Sequence, residues 1–184
     1  AREKREKLEH MNIVIGAFYS EAGSDAIRAL NPFIRNLDAI RGLLGGMESW
    51  TLDHYMQAVK RVREYPFEAN SRAGDLGAVH ALLSEKKGSL LLMFENPNLL
   101  ENNRFTEMLW AVYHLEDELA SREGYAALPD ADLDHLSGDI KRAYRLLLME
   151  WIYYMRHLKE KYPYLFSLAV RKSPFENHSV VIYK

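Results

Sequence analysis

Residues 129–161 read PDADLDHLSGDIKRAYRLLLMEWIYYMRHLKEK. Within them Leu133, Leu136, Ile140, Ala143, Leu147, Trp151, Tyr154 and Leu158 recur at steps that alternate between three and four, the period of a helix burying one face. Pro129-Asp130 opens this helix and Pro163 lies just past its end, where proline disfavours further helix. Some 30 residues at about 1.5 Å each give a rod of roughly 45 Å, longer than a small domain is wide, so the sequence predicts a spine. Upstream, Phe105, Met108, Val112, Leu115 and Leu119 form a matching stripe in a helix expected from Arg104 to Glu123 and stopped at Gly124. The short connection between the two fits an antiparallel hairpin.

The remaining punctuation is also helical. Leu8, Met11, Ile15 and Phe18 share a helical face. Asn31-Pro32 reads as a cap with proline at the first helical position, opening a helix that closes at Gly45-Gly46. Thr51 caps a segment running to about Tyr65, ahead of Pro66. A linker over residues 68–74 leads to Asp75 and a helix through about Lys87, which Gly88 is expected to break or bend. Asn96-Pro97-Asn98 supplies a turn, and Ser179 to Tyr183 reads as a short extended tail. The class is an all-α helical bundle in one domain over residues 1–184, with 1–20 a possible membrane-proximal helix and 163–184 a C-terminal arm.

Composition narrows the function classes. The 184 residues carry 24 Lys+Arg against 26 Asp+Glu, a net charge of −2, and no cysteine. A disulfide framework, a thiolate zinc site and a cysteine nucleophile are excluded. Without a basic block, nucleic-acid binding loses its main source of affinity. No apolar run reaches the roughly 18 residues that span a bilayer. The opening AREKREK is nevertheless basic, as residues flanking a membrane helix on its cytoplasmic side are, so a tether upstream of Ala1 is expected. An ordinary solvated helical turn, with Glu3 and Lys7 paired, is the plain alternative.

One four-residue set has ligand chemistry. Across the hairpin, residues face each other where their numbers sum to about 254. That register brings His114 and Glu118 level with Asp139 and His135, each pair at i,i+4. Two imidazoles and two carboxylates suit zinc, manganese or iron. At about 100° per residue, however, all four fall away from the apolar stripes. If the stripes pack together, the polar groups are expected to diverge onto solvated or interface faces, with no metal and no cofactor. A metal-dependent helical enzyme built on His114, Glu118, His135 and Asp139 is the alternative.

Other chemistry finds little support. No Glu stands three residues before a His, as the di-iron carboxylate bundles require. Asp132 stands three before His135, but its acid has a simpler role at a helix start. Val79-His80-Ala81-Leu82-Leu83-Ser84 partly resembles histidine phosphotransfer bundles, yet Leu83 occupies the place of their lysine and Ser84 that of their glycine. His80 is expected at the core edge. Nucleophile-elbow, phosphate-loop and dinucleotide fingerprints are all missing.

The aromatic content is 11% and much of it is late. Tyr153 and Tyr154 point to different sides of one helix, so one side meets another element, a ligand or a second chain. Trp151, Tyr153, Tyr154 and His157, with Tyr162, Tyr164 and Phe166, are the candidate contact surface.

The stretches Phe94 to Leu100, Leu109 to Leu115, Tyr154 to Lys159 and Tyr162 to Ala169 together resemble an uncharacterised prokaryotic family in which a cytosolic helical region follows N-terminal membrane-spanning sequence. The resemblance implies a membrane anchor and supplies no catalytic residue. The expectation is therefore a non-enzymatic helical domain on the cytoplasmic side of a membrane, acting through a homo-oligomer or protein partner, or relaying a signal. A small-ligand sensor with an aromatic pocket between helices is a further alternative.

Overall fold

The computed structural model describes residues 1–176 and 180–183. The helices are α1 (Arg2–Phe18), α2 (Ser24–Leu30), α3 (Leu37–Leu44), α4 (Leu52–Glu64), α5 (Leu76–Phe94), α6 (Pro97–Leu100), α7 (Asn103–Ala120), α8 (Asp130–Lys161) and α9 (Pro163–Arg171). Among the described residues there is no strand beyond an isolated antiparallel bridge between Ile34 and Ala69. The all-α expectation is met.

α8 is the spine, 32 residues long, and packs against α7, α4, α9, α2 and α1. Crowding on so many sides widens its buried surface beyond one stripe. Tyr144, Leu148 and Ile152 are buried along with Leu136, Ile140, Leu147 and Trp151. α7 lies antiparallel to α8, and α5 covers the other side of α7.

α1 and α2 form one rod interrupted by a π-helical turn over Tyr19–Gly23. The extra residue in a π turn lets neighbours that an α-helix would splay turn inward together. Phe18 and Tyr19 are both buried, with rings 5.0 Å apart edge to face. The Tyr19 hydroxyl donates to Leu147 O at 2.8 Å. Gly23 is required here, because a Cβ would meet the Tyr19 ring at 2.5 Å.

Several local expectations are corrected. Asn31-Pro32 opens a short 3₁₀ turn, and α3 starts only at Leu37. Asn31 is buried, accepts from the Tyr144 hydroxyl at 2.7 Å and donates to Pro174 O at 2.9 Å. Gly88 does not break α5, which runs through it to Phe94. Pro163 starts a helix, so part of the expected arm is α9, packed on α8. The helix expected within residues 1–20 is α1, which buries Ile15 and Phe18 and packs on α8 and α6. Of the extended tail, Ser179 lies outside the described residues, while Val180 to Tyr183 are exposed. Among the described residues no helix is long and apolar enough to cross a membrane.

Candidate metal centre

The α7–α8 register follows the expected arithmetic, but the divergence of its polar groups is overturned. His114 Nε2 lies 3.4 Å from Glu118 Oε1 and 3.5 Å from Asp139 Oδ2. His135 Nε2 lies 3.0 Å from the same Glu118 oxygen and 3.3 Å from the same Asp139 oxygen. The four ligand atoms fall within 4.8 Å of one another.

The reason is angular. At about 100° per residue, the carboxylates sit only about 90° from the middle of their stripes and the histidines about 130°. Both offsets have the same sense, and in an antiparallel pair that places them on the same side of the seam. Because α8 is surrounded and α7 is shared with α5, the stripe centres do not face one another. The α7–α8 seam passes along a flank, where these residues stand.

The electrostatics depend on burial. Asp139 is 4% exposed. Its Oδ1 accepts from Arg142 Nη1 at 2.9 Å, whereas its buried Oδ2 accepts no hydrogen bond from the described residues. A buried carboxylate oxygen without a donor is costly. Glu118 is held below the usual carboxylate range, first by the hydrogen bond to His135 and then by Arg122. His135 is raised by that same bond and by the Asp139 charge. Arg122 closes the end of the hairpin, reaching Glu118 Oε2 at 2.8 Å and Asp132 Oδ1 at 2.6 Å. The sequence offered a signal for both arginines, since Arg122 stands four residues after Glu118 and Arg142 three after Asp139.

The spacing suits a cation. A tetrahedral ion with ligands at about 2.05 Å has ligand–ligand edges near 3.3 Å. The four His–carboxylate distances bracket that value, while the full set spreads to 4.8 Å, so the atoms would draw together around an ion. Two protonated Nε2 atoms, by contrast, would aim positive N–H groups into one small space. The His114 and His135 side chains are 47% and 51% exposed, so an ion here would keep a face toward solvent. Beside His114 runs a groove of about 340 Å³ lined by Glu107, Trp110, Ala111, Arg142 and Leu146.

Of the other candidate residues, Trp151, Tyr154, His157 and Tyr162 line one cleft, and Tyr153, Tyr164 and Phe166 do not. Trp151 and Phe166 are buried, and Trp151 packs on Phe175. Tyr153 lies under the Arg104 guanidinium at 3.8 Å. Tyr154 stacks on Tyr19 at 5.1 Å. Tyr154, His157 and Tyr162 line a cleft between α1, α8 and α9, and Tyr164 is exposed. His80 is half-buried with its ring edge-on to Tyr125, as expected of a core-edge histidine.

No solved structure matches the chain. The chain is 40% identical over 181 residues to an uncharacterized protein, MJ1433, of Methanocaldococcus jannaschii, an alignment covering 98% of this chain and 72% of that protein. Residues 7–171 match the family described as the C-terminal helical domain of uncharacterized protein MJ1433, and the chain belongs to that family.

Proposed function

We propose that this domain holds a divalent first-row transition metal on His114, Glu118, His135 and Asp139, and acts as a metal-dependent enzyme. The observation that carries the reading is the buried Asp139 Oδ2, which accepts no hydrogen bond and faces two imidazole nitrogens. A cation there satisfies that oxygen and uses the neutral forms of both histidines. Its open face can take a water, whose pKa such an ion lowers toward neutrality. Held by His114, Glu118, His135 and Asp139, such an ion would supply Lewis-acid activation of water, and the groove along Trp110 and Arg142 would be the place for a substrate.

Elemental analysis of protein purified without chelating resin tests this, and one equivalent of zinc, manganese or iron per chain is expected. The near-isosteric Asp139→Asn variant should lose at least tenfold in affinity. A chain that carries no transition metal and takes up none from added Zn²⁺ in calorimetry removes the proposal.

Association is a second reading, supported by the exposure of Tyr164, Ile182 and Tyr183. Sedimentation showing a monomer at every concentration rejects it for copies of this chain. Tethering to the cytoplasmic face of a membrane is supported by the exposed basic segment Arg2 to Lys7, and recovery of the full-length protein in the soluble fraction counts against it.

A further inference from the structure

A second concavity shares no residue with the metal centre. It lies between α1 with its π turn, α8 and α9, and has a volume of about 440 Å³, within the range of roughly 300–1,000 Å³ typical of small-molecule sites. Its apolar lining includes Ile13, Ala17, Tyr154, Leu158, Leu165 and Leu168. Ile13, Leu165 and Leu168 are 62%, 40% and 41% exposed. Three large apolar side chains are therefore left open to water around a single hollow.

Polar groups occur at defined places in this lining. The half-buried Tyr154 makes no hydrogen bond through its hydroxyl to any described residue, although its ring is fixed against Tyr19. His157 follows one turn further along α8 and lines the same cleft. Burial lowers its pKa, which favours the neutral imidazole. The lining also holds Asp25, Arg28 and Lys172. Arg28 Nη1 is paired with Asp25 Oδ1 at 3.2 Å, which leaves Lys172 as the cation without an ion pair among the described residues. Arg28 Nη2 donates to Lys172 O at 2.9 Å, so the last turn of α9 is fixed beside α2. One wall is the π turn, a rare geometry that recurs at functional sites.

We infer that this cleft binds a small amphipathic acid, whose apolar body lies along Ile13, Leu165 and Leu168 and whose single anionic group meets Lys172 beside the Arg28–Asp25 pair. Lys172 selects an anion over an amine, and the Tyr154 hydroxyl, which makes no hydrogen bond to any described residue, is available to offer the body one. The volume excludes a polymer.

8-Anilinonaphthalene-1-sulfonate, an aromatic body with one sulfonate, is the probe. Titrated into the folded chain in the presence of EDTA, it should give a saturable fluorescence rise with one site per chain. Decanoate should displace it and decylamine should not. Ala17→Trp, which fills the hollow from α1, should weaken the probe at least tenfold. Lys172→Glu, at an exposed position, should weaken it several-fold, with helical circular dichroism and melting temperature unchanged in both variants. Absence of saturable binding, or binding that survives Ala17→Trp, overturns the site. Equal displacement by decylamine overturns the assignment to an acid. Because the metal is removed throughout, failure here leaves the metal proposal intact, and the reverse holds as well.

Discussion

Glu150 is buried on α8, with Oε1 3.6 Å from Arg104 Nε. The guanidinium is too distant and too well placed over Tyr153 to offset the loss of water, so burial pushes the carboxyl up to about 7. A carboxyl raised in the folded state favours folding in its protonated form. Its contribution is full below the ordinary value of 4.5 and is lost as pH rises through about 7. Glu150→Gln removes the ionisation. The variant should therefore gain stability relative to the parent across that window, by an amount on the order of 3 kcal/mol at pH 8. Urea denaturation at pH 5 and pH 8 measures the difference. An unchanged gap between parent and variant at the two pH values would show that Glu150 does not titrate there.

α5 shows how far local signals reach. Gly88 lies in its interior on an exposed face, and a Cβ there would meet nothing within 4 Å. The neighbouring turns already enforce the helix, so the glycine costs stability without ending the element. Gly88→Ala should add about 0.5–1 kcal/mol and raise the melting temperature by about 2–4 °C in a chain of this size; a lowered melting temperature would mean that α5 needs the glycine. The stripe of α8, the stripe of α7 and their antiparallel register were all readable, because periodicity and loop length are local properties. The direction in which α7 faces was not. It depends on α5 and α8 sharing one helix, and the flank bearing His114 and Asp139 came inward as a result. Pro163 was ambiguous in the same way, since proline marks both the end of one helix and the first turn of the next. The π turn at Tyr19 left no compositional trace, and the role of Asn31 depends on partners 113 and 143 residues away.

The proposed metal site joins α7 and α8, so its occupancy would report on the entire fold. An ion bound by the native chain alone stabilises by mass action, about 2.7 kcal/mol at a hundredfold excess over its dissociation constant. Zinc should raise the melting temperature of the parent by roughly 5–10 °C, EDTA should reverse the rise, and Asp139→Asn should show at most about half of it at the same zinc concentration. A calorimetric scan of the three samples decides it, and identical melting in zinc and EDTA would place the four side chains in an ordinary ion-pair network.

The link from Tyr144 through Asn31 to Pro174 has a consequence for synthesis. The Asn31 carboxamide donates to a carbonyl 143 residues further on and accepts from a hydroxyl of the spine. Until Pro174 is released, the Asn31 amide nitrogen lacks its acceptor and the first rod has only part of its seat. Native closure of this domain is therefore delayed until Pro174 has emerged from the exit tunnel, and the nascent intermediates must keep their apolar faces protected in the meantime.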